Sequence, residues 1–148
     1  MRTSMPPEGS TAWQTMLTAD RKAAADLDPD TIPTSPGVYA WFRDDAPVYA
    51  GRAVAKYGLK GRLKRNHLAT GLDLSHSSFR RNVCEHLLGI ATSVTRQRPT
   101  VMTEEQVSVV NAWIRECDVT WVTFETGDEA KDFEKTLLGD WMPPFSKR

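Results

Sequence analysis

An arginine and a glutamate in this sequence have the surroundings that phosphate chemistry requires. Arg62 lies in a segment of helical character, with Arg65 three and Asn66 four residues further on, so all three share one helix face. Such a cluster can hold a phosphate through paired hydrogen bonds and stabilise charge that develops on it. Glu134 stands at the edge of an apolar helical stripe, where a carboxylate can bind a hard cation such as Mg²⁺. Each residue has an ordinary alternative: a solvated basic face, and a boundary glutamate whose head group reaches water.

Two tyrosines, Tyr39 and Tyr49, lie ten residues apart, one on each strand of a predicted hairpin. Their hydroxyls can act together only if both rings lie on the same face. A two-residue loop at residues 44–45 puts them on opposite faces, because a shift of one residue moves a side chain to the other face. A three- or five-residue loop, or a β-bulge, puts them on the same face. The alternative is a pair of ordinary strand tyrosines that pack on a core.

Basic residues are concentrated in the middle third of a chain whose formal net charge is zero. Residues 52–98 hold ten Lys and Arg against two Asp and Glu, whereas residues 1–51 hold four against seven and residues 99–148 five against ten. A local basic patch, rather than the net charge, sets affinity for nucleic-acid phosphates, although a solvated helix surface would give the same pattern. The residues that we predict to contact nucleic acid are Arg52, Lys60, Arg65, His67, Arg80, Arg81, Arg96 and Arg98.

The first half of the chain predicts a helix followed by a hairpin. Residues 1–9 predict a flexible leader, and the capping box Thr11-x-x-Gln14 predicts a helix that runs to about Leu27. Residues 37–42 and 47–51 are strand-like runs around a turn signal, which predicts a hairpin.

The second half of the chain predicts mostly helices. Residues 60–69 and 78–88 have helical patterns, with a cap at Ser77, and residues 91–102 predict a loop. Thr103 and Thr126 begin capping boxes for two further helices, and residues 119–125 between them predict a third strand. This order predicts an α+β domain, in which a small three-stranded antiparallel β-sheet is flanked by helices, with an extra N-terminal helix.

Length and composition narrow the class of protein. A chain of 148 residues that is 40% hydrophobic and 26% charged is typical of one globular domain. The sequence lacks the run of about 18 apolar residues that a membrane span needs, and residues 1–8 lack the order of a secretory signal, so we expect a cytoplasmic protein. Cys84 and Cys117 lie in apolar helical patterns and are predicted to be core thiols.

The candidate residues occur in an order that resembles the GIY-YIG endonuclease family. Gly37-Val38-Tyr39 is followed by Val48-Tyr49-Ala50-Gly51 and then by a helix with Lys60-Gly61-Arg62-Leu63-Lys64-Arg65. Glu134 is followed by Pro143 and Phe145-Ser146, at the spacing of the family's glutamate, proline and final asparagine. The resemblance covers residues 36–146. It implies that residues 1–35 are a leader and accessory helix and that residues 36–148 form a GIY-YIG-like nuclease domain.

The resemblance implies a metal-dependent endonuclease that hydrolyses phosphodiester bonds of nucleic acid, DNA rather than RNA. Tyr39 or Tyr49 would activate a water, Arg62 would stabilise the transition state, and Glu134 would hold one divalent cation, Mg²⁺ or Mn²⁺. Site selection would depend on loops such as residues 91–102, on a homodimer or on a targeting partner protein. Two alternatives stay open: a nucleic-acid-binding module on this fold without catalysis, and a protein-interaction domain.

Two polar positions depart from the family pattern. Ser146 stands where the resemblance implies an asparagine. The replacement of asparagine by serine would weaken support of the site. One turn after Arg62 the family often has His or Tyr, whereas this chain has Asn66, with His67 next to it.

Overall fold

The computed structural model describes residues 5–146, so residues 1–4 of the predicted leader lie outside the described residues. Four strands form one antiparallel sheet in the order β1-β4-β2-β3: β1 (Lys22–Ala23), β2 (Gly37–Arg43), β3 (Ala46–Ala53) and β4 (Asp118–Thr123). The predicted α+β class is confirmed. The prediction of a three-stranded sheet is wrong, because the short β1 pairs with the free edge of β4.

Strand β1 takes part of the segment that was predicted to continue the first helix. Helix α1 spans only Thr11–Thr18, and its N-cap is Ser10, one residue before the predicted cap. Residues 20–22 are Asp-Arg-Lys and offer no apolar face, so a longer helix would add no packed surface. The chain turns extended at Ala19 and pairs its backbone with β4 instead. The prediction of a helix to Leu27 is therefore wrong.

The hairpin of β2 and β3 has a two-residue turn. Asp44 and Asp45 have φ angles of 51° and 67°, which are the left-handed values that a tight hairpin turn requires. Arg43 pairs with Ala46 across this turn. A turn of this length, acting alone, would put the two tyrosines on opposite faces.

A β-bulge in the hairpin reverses that outcome. The register shifts between Trp41 and Phe42, so that Trp41 pairs with Tyr49 and Tyr39 pairs with Gly51. Tyr39 and Trp41 are two residues apart on β2 and share one face of the sheet. Tyr49 therefore lies on the same face as Tyr39, as a diagonal neighbour.

Helices cover the sheet. Helix α2 begins as Gly58–Lys60 and continues as a π-helix over Gly61–His67, and the others are α3 (Ser78–Leu88), α4 (Thr92–Thr95), α5 (Glu104–Arg115) and α6 (Gly127–Asp140). The predicted caps Ser77, Thr103 and Thr126 each accept a backbone amide at the start of a helix. Because α4 lies inside residues 91–102, the prediction of a continuous loop there is wrong.

The two faces of the sheet pack against different helices. The face with Tyr39 and Tyr49 contributes to a core with α2, α3 and α5, and the face with Val38 and Phe42 to a core with α1 and α6. Trp13 of α1 is fully buried, and its indole N–H donates to the carbonyls of Leu137 (2.9 Å) and Trp141 (3.0 Å). Helix α1, predicted as accessory, is thus part of the packed core.

Both cysteines are buried free thiols, as predicted. Across residues 5–146, none of the helices is both long and apolar enough to cross a membrane.

Candidate active site

A cleft of about 1020 Å³ opens along β3, an edge strand of the sheet. All four predicted catalytic residues, Tyr39, Tyr49, Arg62 and Glu134, line it. They come from β2, β3, α2 and α6, and the two helices cover opposite faces of the sheet. Side chains from both faces of the sheet can meet beside an edge strand, because no further strand separates the two faces there.

The two tyrosine rings lie side by side in the cleft. Their centroids are 6.3 Å apart with an interplanar angle of 25°. Tyr39 is fully buried, whereas Tyr49 is 7% exposed and its hydroxyl lies 2.6 Å from that of Ser78 at the start of α3. A Cβ atom at Gly51 would come within 2.6 Å of the Tyr39 hydroxyl, so the position of this ring requires glycine there.

The π-helical part of α2 decides which side chain lies one turn after Arg62. The amide of Leu68 donates to the carbonyl of Leu63 at 2.7 Å, which is the wider i to i+5 bond of a π-helix. Residue i+5 therefore takes the place that i+4 has in an α-helix. Asn66 lines the cleft together with Arg62, whereas the ring of the neighbouring His67 contacts the Tyr39 hydroxyl.

The Tyr39 hydroxyl belongs to a buried chain of hydrogen bonds. It lies 2.7 Å from Nε2 of His67, whose Nδ1 lies 2.6 Å from the hydroxyl of Ser77. The Ser77 hydroxyl also accepts the amide of Arg80 at 3.0 Å, as the N-cap of α3. Burial, reinforced by the charges of nearby arginines, holds the pKa of His67 well below its usual value. A neutral imidazole thus joins α2 and α3 to Tyr39.

Arg62 provides a positive charge beside this neutral network. Its Nε lies 3.4 Å from the Tyr39 hydroxyl. Burial opposes the charge of Arg62, but the hydroxyls of Tyr39 and Tyr49 outweigh it, and the pKa of the guanidinium is raised. Burial also raises the pKa of Tyr39 well above its ordinary value, with a contribution from Tyr49 and opposition from Arg62. At neutral pH the pair is therefore a guanidinium and an un-ionised phenol.

Glu134 is paired with a cation of the protein itself. Oε1 of Glu134 lies 2.9 Å from Nη1 of Arg52, and the two side chains are 9% and 45% exposed. Within residues 5–146, no group of three or more His, Cys, Asp or Glu side chains is placed to hold a metal ion. A single buried carboxylate at a cleft still fits Mg²⁺, which takes one or two carboxylates and completes its shell with water and substrate phosphates.

The eight predicted nucleic-acid contacts fall into three groups. Those that line the cleft are Arg52, Arg65, Arg81 and Arg96. Lys60 is ion-paired with Asp30 at 3.4 Å, and both Lys60 and the exposed Arg98 lie outside the lining. His67 and Arg80 are each only 1% exposed, so the prediction that they contact nucleic acid is wrong.

Arg80 has an internal role that its sequence context did not indicate. One of its terminal nitrogens donates to the carbonyl of Gly71 at 2.8 Å and to Oδ1 of Asn111 at 2.9 Å. Burial lowers the pKa of Arg80 to about 10, which leaves the guanidinium charged at neutral pH. It connects the loop before α3 to α5.

The cleft keeps the positive character that the sequence predicted for the middle of the chain. Six basic side chains line it against two acidic ones. The basic residues are Arg52, Lys56, Arg62, Arg65, Arg81 and Arg96, and the acidic ones are Glu85 and Glu134.

Ser146 and its neighbours bind the outer edge of β3. The Ser146 hydroxyl accepts the amide of Ala50 at 2.8 Å and donates to the carbonyl of Ala50 at 3.2 Å. The amide of Phe145 donates to the carbonyl of Val48 at 2.8 Å, and the side-chain amide of Asn82 donates to the carbonyl of Phe145 at 2.8 Å. One serine hydroxyl therefore satisfies both backbone groups of Ala50 beside the cleft.

The cleft residues that were not among the predicted site residues include Lys56, Tyr57, Ser78 and Asn82. Ser78 and Asn82 lie four residues apart on α3 and therefore share one helix face. Their spacing predicts that both reach the cleft, but only once the contact between α3 and the hairpin is known. Tyr57 lies between the second tyrosine motif and Arg62, and proximity to those motifs was its only signal.

Comparisons of this chain with models of known protein families, with curated proteins and with solved structures found no match. The function of this chain is therefore inferred from the arrangement of its own residues.

Proposed function

We propose that this protein is a metal-dependent endonuclease of the GIY-YIG type, which hydrolyses phosphodiester bonds of nucleic acid, DNA in the first instance. The observation that carries the proposal is the meeting of Tyr39, Tyr49, Arg62 and Glu134 in one positively charged cleft. These residues come from four separate elements. Core packing accounts for the two tyrosines, but not for an arginine and a buried carboxylate beside them at the same cleft.

Arg62 binds the scissile phosphate and stabilises the negative charge that develops on it during attack. Its guanidinium is half-buried beside Tyr39, so it is already oriented before the substrate arrives, which reduces the ordering that binding costs. Arg52, Arg65, Arg81 and Arg96 around the cleft hold the flanking phosphates.

The two tyrosines position the water that attacks phosphorus. Tyr49 is the more accessible of the two, and the Tyr39 ring lies beside it with centroids 6.3 Å apart. Because the pKa of Tyr39 is raised by burial, this residue acts at neutral pH through hydrogen bonds of its protonated hydroxyl. His67 keeps that hydroxyl in place.

Glu134 is the protein ligand for the divalent cation. A divalent cation held by Glu134, Mg²⁺ or Mn²⁺, would neutralise phosphate charge and stabilise the leaving 3′-oxygen. Arg52 gives up its ion pair with Glu134 and is then free for a phosphate.

The test is cleavage of plasmid, single-stranded DNA and RNA by the purified protein with Mg²⁺ or Mn²⁺. We expect cleavage that requires the cation and that falls about 100- to 1000-fold in Arg62→Ala, the typical loss when one transition-state donor is removed. Glu134→Gln should also be inactive. The matched controls are Arg115→Ala on α5 and Asp132→Asn on α6, both exposed and outside the cleft, which should leave cleavage unchanged.

Other outcomes favour the other two classes. Salt-sensitive binding of nucleic acid without cleavage would identify a binding module on this fold. Absence of nucleic-acid binding at low salt would contradict both the endonuclease and the binding module, and it would favour a protein-interaction domain.

A further inference from the structure

Tyr57 is exposed at the cleft, unlike the other two tyrosines. It is 43% exposed, against 0% for Tyr39 and 7% for Tyr49. Six large hydrophobic side chains are exposed among the described residues, and of these only Tyr57 lines the cleft. A single exposed aromatic ring needs no explanation on an ordinary surface, but at the mouth of a charged cleft it is available to a ligand.

The stem of Tyr57 has a defined position. Tyr57 is the residue immediately before α2. A Cβ atom at Gly61, one turn into the helix, would come within 2.9 Å of the Tyr57 Cβ. Glycine at that position lets the tyrosine stem lie against the helix backbone, so the ring extends from a packed base.

Two cations accompany the ring. The guanidinium carbon of Arg65 lies 4.3 Å from the ring centroid, and Nζ of Lys56 lies 5.6 Å from it. Both residues also line the cleft, and Arg65 is on the same helix as Arg62. Arg65 lies over one face of the ring, so a base would stack on the part of the ring that stays exposed, with the two cations close to its phosphates.

We propose that Tyr57 is a stacking site for an unpaired nucleobase next to the scissile phosphate. The substrate class is therefore nucleic acid with at least one unpaired base at the cleavage site, either a single strand or a duplex with a displaced base. In an intact duplex the faces of a base are covered by its neighbours, so the ring has no partner there. This inference rests on the proposed function, since it concerns the substrate of the same cleft.

Binding measured without a divalent cation separates this proposal from catalysis. Fluorescence anisotropy in EDTA would compare a single strand, a perfect duplex of the same sequence and that duplex with one unpaired base. We expect Tyr57→Ala to bind the single strand and the unpaired-base duplex about 5- to 150-fold more weakly than the native protein, the range for loss of one base–aromatic stack. Binding of the perfect duplex should change by less than about 2-fold, since it makes no stack.

Two further variants make the result specific. Tyr57→Phe keeps the ring and should bind like the native protein. Met142→Ala removes another apolar side chain that is 43% exposed but lies outside the cleft, and it should have no effect. A 2-aminopurine at the unpaired position should be quenched on binding by the native protein and Tyr57→Phe, and not by Tyr57→Ala.

An equal loss for all three nucleic acids in Tyr57→Ala would overturn the proposal, because the ring would then act only by supporting Arg65. Unchanged binding of the single strand would also overturn it. If the native protein binds none of the three, the proposed function itself fails, and this is distinguishable because the failure appears before any Tyr57 variant is compared.

Discussion

Replacing Arg52 by methionine should strengthen the binding of a divalent cation to this protein. Arg52 holds Oε1 of Glu134 at 2.9 Å, so its guanidinium competes with a divalent cation for the same carboxylate. Methionine keeps most of the side-chain volume of arginine and removes the charge. The substitution therefore frees the carboxylate without opening a hole beside it.

The size of the effect follows from the exposure of the pair. The Arg52 side chain is 45% exposed, and ion pairs open to solvent contribute only about 0.2–1 kcal/mol. Because the Glu134 side chain is only 9% exposed, we expect the upper end of that range. A cost of about 1 kcal/mol corresponds to a roughly 5-fold change in affinity.

The assay is a titration with Mn²⁺ in the absence of nucleic acid, in which electron paramagnetic resonance reports the free ion. Arg52→Met should bind Mn²⁺ about 5-fold more tightly than the native protein, and Glu134→Gln should lose the site. Arg115→Met, an exposed arginine outside the cleft, is the matched control and should bind like the native protein. Equal or weaker binding in Arg52→Met would refute the idea that the ion pair competes with the cation.

Three further predictions concern stability and local opening. The pKa of His67 is lowered by burial, so below about pH 6.5 the unfolded chain binds a proton that the folded chain does not. The free energy of unfolding should therefore fall by up to about 1.4 kcal/mol per pH unit as the pH drops from there. Urea denaturation should show a shallower pH dependence in His67→Gln. Gly51→Ala should destabilise the protein by about 1–3 kcal/mol, because the added Cβ would lie 2.6 Å from the Tyr39 hydroxyl. The control Gly139→Ala in α6, where a Cβ meets nothing within 4 Å, should stabilise the protein by about 0.5–1 kcal/mol. If urea denaturation gives the same sign for both variants, the packing at Gly51 is contradicted. Ser146→Ala removes two hydrogen bonds to Ala50. At about 1.4 kcal/mol for the pair, the amide of Ala50 should exchange its hydrogen about 10-fold faster, as measured by NMR. Unchanged exchange would show that this contact does not hold the edge of β3.

Local sequence was sufficient for most elements and for the members of the site. The caps Ser77, Thr103 and Thr126 were predicted because a hydroxyl that precedes a helix satisfies a free backbone amide whatever lies around it. Two strand-like runs around a turn signal likewise predicted the hairpin, and the spacing of apolar residues predicted the helices that follow it. All four candidate catalytic residues could be named in advance, and all four line the cleft.

The geometry of the tyrosines could not be predicted, because two local features have opposite effects. The Asp44–Asp45 turn puts Tyr39 and Tyr49 on opposite faces, and the bulge at Trp41 and Phe42 restores them to one face. A bulge depends on how the strand packs as a whole, on both of its faces, and it has no reliable sequence signal of its own.

Tertiary structure also decided which polar residues are buried. The pattern of charges in residues 52–98 made Arg80 and His67 equivalent to the arginines of the cleft, but packing of α3 and the π-helical turn of α2 placed both inside. Position along the chain, together with the type of helix, fixes which face of its own helix a side chain occupies. Whether that face meets solvent, a carbonyl or a tyrosine hydroxyl depends on elements distant in sequence. By itself, then, the sequence determined the chemical groups available to this protein, and only the packing of the whole chain decided which of them meet in the cleft.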